Sequence, residues 1–116
     1  MTRPSEMSPK REYHRVVIPS GQQDSGEIRL DFGEVISMIV LPSVFTGSSI
    51  TFRGGINTGD RKVVEKDGTV VQVNVNQDTV STIDPVEVYH LPPYVVIRSS
   101  STEAADRELH VFTKAI

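Results

Sequence analysis

The 116-residue sequence contains neither cysteine nor tryptophan. Without cysteine there are no disulfides, no thiolate nucleophile and no cysteine-ligated zinc or iron–sulfur centre. Without tryptophan, and with four Phe and three Tyr, few rings are available to lie against the apolar face of a sugar, which weakens a glycan-binding reading. Leucine and alanine are also scarce, at four and three residues, against 26 valines and isoleucines. β-Branched side chains lose rotamer freedom in a helix and pack well on a pleated surface, so the composition is that of an all-β protein. No stretch approaches the roughly 18 consecutive apolar residues of a membrane helix. Residues 1–10 have no apolar core of the kind a signal peptide carries, so a soluble chain with no such leader is expected. The formal net charge is -3, with 12 basic and 15 acidic residues scattered along the chain. That balance offers no basic footprint for a phosphate backbone and argues against nucleic acid as a partner.

A chain of this length is expected to form one domain and to bury roughly two-thirds of the surface its unfolded form exposes. "MTRPSEMSPKRE" has two prolines, mixed charge and no periodicity, and reads as an extended N-terminal arm over residues 1–12, leaving 13–116 as the folded domain. "HRVVIP" is a first strand. "EIRLDF" alternates, which predicts Ile28, Leu30 and Phe32 on one face and Glu27, Arg29 and Asp31 on the other, before a tight turn at Gly33. "VISMIVLP" is apolar on both faces except at Ser37 and predicts a central strand. "SITFRGG" puts Ile50 and Phe52 together, and Gly54-Gly55 predicts a turn or bulge that ends the strand. "RKVVEKDGTVVQVNVN" carries Asp67-Gly68 between two Val-rich runs, the pattern of a hairpin with a type I′ turn, with Val71, Val73 and Val75 pointing inward. "TVSTIDP" and "VEVYHLPP" read as edge pieces, because Pro85, Pro92 and Pro93 cannot donate to a ladder. "YVVIRS" and "RELHVFTKA" close the chain as strands, with Leu109, Val111 and Thr113 opposing His110 and Phe112. Between them "STEAAD" predicts one helical turn capped by Ser101 or Thr102. About eight or nine antiparallel strands at regular spacing imply a β-sandwich or jelly roll.

The motifs that would carry chemistry do not assemble in the sequence. His14, His90 and His110 are far apart and lack a second ligand-type residue at a useful offset. "NVNQD" lacks the glycine and the glutamate of a calcium loop, and "FRGGINTGD" lacks the lysine and the helix of a phosphate loop. No serine stands with a base and an orienting acid. Glu27, Asp31, Asp60, Glu65, Glu87 and Glu103 are each explained by a solvated face or a loop. The expectation is a non-enzymatic protein with no catalytic residue, metal or cofactor, and a glycan-binding module stands as a second class.

Two stretches, "VISMIVLPSVFTGSSITFRGG" and "YVVIRSSSTEAADRELHVFTKAI", resemble small β-sandwich virion proteins of tailed bacteriophages. The resemblance is carried by Leu41-Pro42, Phe45-Thr46-Gly47, Ile50 to Phe52, Arg98-Ser99 and Ala104-Ala105-Asp106-Arg107. The chain departs from that pattern in "RKVVEKDGTVVQVNVN" and at "HLPPY". The resemblance implies a structural protein made in the host cytoplasm and carried on the capsid surface of the virion. There it would act as a decoration or cement protein bound to the major-capsid lattice, working as a homo-oligomer, dimer or trimer. A tail, neck or fibre β-domain is the neighbouring alternative. Candidate contact residues are Arg3, Pro4, Pro9, Lys10 and Arg11 in the arm and Ser100, Ser101, Thr102 and Glu103 in the last loop.

Overall fold

The computed structural model describes residues 11–84 and 91–115. It is all-β, and the eleven strands among the described residues form antiparallel sheets that pack as a sandwich. The first sheet holds β1 (Arg11–Ile18), β11 (Arg107–Ala115), β3 (Glu34–Val40) and β9 (Val80–Thr82), in that spatial order. The second holds β2 (Ile28–Arg29), β10 (Tyr94–Ser99), β4 (Ser49–Gly55) and β5 (Lys62–Val63), with β8 (Gln72–Asn74) also on β4. The remaining two, β6 (Glu65–Lys66) and β7 (Thr69–Val70), pair only with each other.

The core lies between the two main sheets. Val16, Ile18, Leu109, Val111, Ile36 and Ile39 come from one side, and Ile28, Ile50, Phe52, Val95 and Ile97 from the other. Complete burial of a side chain such as Phe52 or Ile97 stabilises by about 1.5–3 kcal/mol. In β11 the period-two pattern holds as the sequence predicts: Leu109, Val111 and Thr113 are fully buried, while His110 and Phe112 face outward. On that outer face Tyr13 stacks on His110, with ring centroids 5.6 Å apart, and leans on Phe112 at 5.1 Å.

In β3 the core positions are Ile36 and Ile39, three residues apart, which a regular strand cannot place on one face. The ladder to β11 shifts between Phe112 and Thr113, whose partners are Met38 and Ile36. Ser37 is therefore the extra residue of a bulge, and its hydroxyl donates to the Phe112 carbonyl at 3.1 Å. The strand is central as predicted, between β11 and β9, with Val35 buried and Met38 and Val40 half-buried on its outer side.

The Asp67-Gly68 hairpin forms as expected, both residues having positive φ at 54° and 78°. β5 and β8 pair with different halves of β4, and the β6–β7 ribbon projects between them with its strand residues exposed. Val71 and Val75 turn into the core and Val73 packs against it. This splitting raises the strand number above the eight or nine predicted.

Three expectations are corrected. Phe32 does not follow Ile28 and Leu30 inward. The Glu34 amide donates to the Asp31 carbonyl at 2.9 Å, Gly33 takes φ 78°, and the turn rotates Phe32 fully into solvent. Gly54-Gly55 forms no turn that breaks the ladder: β4 stays paired with β10 through both residues, at Val95 and Tyr94, and Gly55 is its last residue. Glycine is needed at 54 for close approach: an added Cβ would lie 1.9 Å from the Tyr94 carbonyl oxygen. Finally, β1 begins at Arg11, within the stretch assigned to the arm. Arg3, Pro4, Pro9 and Lys10 of the arm, and the expected edge piece at 86–90, lie outside the described residues, as does Pro85. Among the described residues no helix is long and apolar enough to cross a membrane.

Gly54→Ala is expected to destabilise the domain by about 1–3 kcal/mol, the usual cost of forcing an extra methyl into packed structure. Gly26→Ala, where an added Cβ meets nothing within 4 Å, is expected to leave stability unchanged or slightly raised. Urea denaturation of the two variants checks both.

Candidate interaction surface

The strand directions place two clusters of loops at opposite ends of the sandwich. At one end β10 finishes and β11 begins, joined by the loop 100–106, beside the start of β4 and the end of β1. The sequence assigns that loop to the surface, but its central acid is buried. Glu103 is 0 % exposed. Its carboxylate accepts the Thr46 and Gly47 amides, each at 3.0 Å, the Ser99 hydroxyl at 2.8 Å and the Arg107 Nε–H at 2.9 Å. Its main chain is tied as well: the Gly21 amide donates to the Glu103 carbonyl and the Glu103 amide donates to the Gln22 carbonyl. Burial pushes the Glu103 carboxyl up, but the Thr46 amide, Arg107, Ser99 and the Gly47 amide together carry it below the usual carboxylate range.

These bonds explain why "STEAAD" forms no helical turn. The Glu103 amide, which a Ser101 cap would bond, is taken by the Gln22 carbonyl, and the Ser101 amide donates to the Ser99 hydroxyl at 3.2 Å. Asp106 does not pair with Arg107 to fix the turn: its Oδ1 accepts the Ser20 amide at 2.8 Å, and Arg107 belongs to Glu103. Gly47 is required beneath this network, since a Cβ there would sit 2.2 Å from the Ser99 hydroxyl oxygen. Of the four loop residues predicted as contacts, Ser100 and Thr102 are exposed and Ser101 is half-buried. Ser100 is engaged within the molecule, its hydroxyl oxygen accepting the Ser48 and Ser49 amides. Glu103 is withdrawn as a contact residue because its carboxylate is buried and fully occupied.

At the opposite end β1 and β3 begin and β4 and β11 finish. Arg11, where β1 enters the sheet opposite Lys114, is at this end, away from the loop 100–106 with which the sequence groups it. Here an open cleft of about 950 Å³ is lined by residues 29–34, Ile56, Leu91, Pro93 and Tyr94. Phe32 and Ile56, 78 % exposed, stand on its rim. The Arg29 guanidinium lies over the Tyr94 ring, 6.0 Å from its centroid. Sequence reasoning misses this cleft because it treats Phe32 as core. The available signal is an apolar residue directly before a turn glycine, where the alternation has already ended.

The other acids near this end are structural. Glu34 accepts the Asp31 amide at 2.7 Å, the Thr113 hydroxyl and, at 3.4 Å, His14 Nε2. Burial raises its pKa, while Thr113, the Asp31 amide and His14 lower it further, for a net depression. Glu27 anchors the loop 56–61 through the Thr58 hydroxyl, the Gly59 amide and Arg61, which hold its carboxyl down to about 2. His110 lies beside Tyr13 and Glu108 on the outer sheet face, and His90 is outside the described residues. Among the described residues, no group of three or more His, Asp or Glu is placed to hold a metal. Comparison with protein-family models, with curated proteins and with solved structures finds no match.

Glu103→Ala removes one partner of a buried ion pair and leaves the Thr46 and Gly47 amides without their acceptor, at an expected cost of about 3–5 kcal/mol. Because Glu27, Glu34 and Glu103 are all depressed in the folded state, their stabilisation is complete above the unfolded carboxylate range and is lost as pH falls through their lowered values. A thermal-denaturation series from neutral to acid pH is expected to fall below the ordinary carboxylate pKa. The Glu103→Gln variant should show a shallower decline, because it has one fewer carboxylate to protonate.

Proposed function

We propose that the protein is a non-enzymatic structural component of a tailed-phage virion that decorates and stabilises the capsid by binding the major-capsid lattice. The observation that supports this most directly is the convergence of its two phage-like stretches. Thr46 and Gly47 from the first, and Ser99 and Arg107 from the second, all bond to the one carboxylate of Glu103. These four residues of the resemblance thus meet at one point in space, although the two amides are 57 and 56 positions from Glu103.

The buried acids are consistent with a scaffold whose work is done at its surface. Glu34 and Glu103 are occupied by hydrogen bonds from the protein itself, which leaves neither free to move a proton for a substrate. A cement protein stabilises a shell by binding the assembled lattice in preference to free subunits, and many modest contacts add through repetition. The exposed Ser100 and Thr102 of the loop 100–106 are the surface offered for such contacts.

Quantitative mass spectrometry of purified particles, with a reconstruction to locate the density, tests this reading. Hundreds of copies on the capsid surface are expected. A few copies at the neck, tail or fibres would move the protein to that part of the virion, and absence from the particle would overturn the proposal.

A further inference from the structure

The cleft pairs an apolar knob with an apolar hole on the same surface patch. Phe32 stands wholly in solvent at the tip of the turn from Asp31 to Glu34, while Leu30, Ile56, Leu91, Pro93 and Tyr94 line the adjoining hollow. A surface with both halves of a contact side by side is self-complementary, which is the requirement for an isologous interface about a two-fold axis. A fully exposed Phe beside Ile56 is costly to leave in water, and burial of both against a second copy removes that cost.

Charge supports the same occupant. Arg29 and Asp31 are both exposed on the cleft wall, and neither side chain has an ion-pair or hydrogen-bond partner among the described residues. The Arg29 guanidinium is held over Tyr94 at the rim. Glu34, the other acid of the cleft, is not available, because its oxygens are taken by Asp31, Thr113 and His14. A two-fold rotation that seats Phe32 in the neighbouring hollow brings one Arg29 guanidinium and one Asp31 carboxylate from each copy to the same rim. We infer that the chain forms a two-fold dimer in which Phe32 of each copy fills the cleft of the other and Arg29 pairs with the partner's Asp31. This dimer does not depend on what the protein decorates.

Sedimentation velocity of the full chain over a wide concentration range, in the absence of capsids, provides the test. The expected result is a reversible monomer–dimer equilibrium. Phe32→Ser should raise the dissociation constant by about tenfold or more, as loss of a central aromatic anchor does. At concentrations where both chains are monomeric its thermal midpoint should match the parent's, since the ring supports nothing within its own chain. Arg29→Asp and Asp31→Arg should each weaken the dimer, and the double exchange should restore it. A monomer at every concentration, a trimer or larger ring, or a dimer indifferent to Phe32→Ser would overturn the inference. A double exchange that fails to restore assembly would also overturn it. Each of these results is separable from the proposed function, because a monomer that still binds particles and a dimer that does not are distinct outcomes.

Discussion

A single buried carboxylate joins the two sheets at one end of this molecule. Glu103 is surrounded by four donors from three separate segments: the loop before β4, the last residue of β10 and the first residue of β11. Burying an ionised acid is unfavourable unless its charge is paired and its oxygens are hydrogen-bonded, and here both conditions are met. The arrangement is demanding in geometry, so it selects one loop conformation among those that the same short connection permits. The Gly47 and Ser99 positions are constrained by it, and the path of the chain through Gly21 and Gln22 is tied to it by main-chain bonds.

The opposite end follows a different principle. There Glu34 and Glu27 anchor the turn after β2 and the loop after β4, which present Phe32 and Ile56 to solvent. An end closed by a saturated polar network and an end left with an exposed Phe and Ile are not equivalent as surfaces. The first has its hydrogen-bonding groups largely engaged within the chain. The second has exposed hydrophobic area and charge with no ion-pair partner among the described residues, which are what association uses.

The class of the fold was legible because it depends on quantities summed over many residues. Valine and isoleucine outnumber leucine and alanine so strongly that no helical reading competes, and β11 and the Asp67-Gly68 hairpin behave as alternation and turn chemistry require. Errors arose where one residue's local pattern was overruled by a partner distant in the chain. Gly54 looked like a breaker, but it is a point of close approach to the Tyr94 carbonyl on β10. The helical turn expected at "STEAAD" lost the Glu103 amide, which its Ser101 cap would bond, to the Gln22 carbonyl. Ser37 looked like a polar interruption of β3, and it is the bulge that lets Ile36 and Ile39 share a face.

The candidate surface was less legible than the fold, for a related reason. Exposure of an apolar side chain is not encoded by its own identity, and Phe32 differs in sequence from the core residues Ile28 and Leu30 that precede it only in standing directly before the turn glycine. By itself the sequence determined the all-β class, the hairpin and the inward faces of the long strands, since these follow from side-chain shape and period-two geometry within a few residues. Only the tertiary structure decided that Glu103 is a buried anchor, that Phe32 is a solvent-facing knob and that Arg29 and Asp31 have no ion-pair partner among the described residues. Those properties depend on which distant segments the sheets bring together, and local spacing carries no record of them.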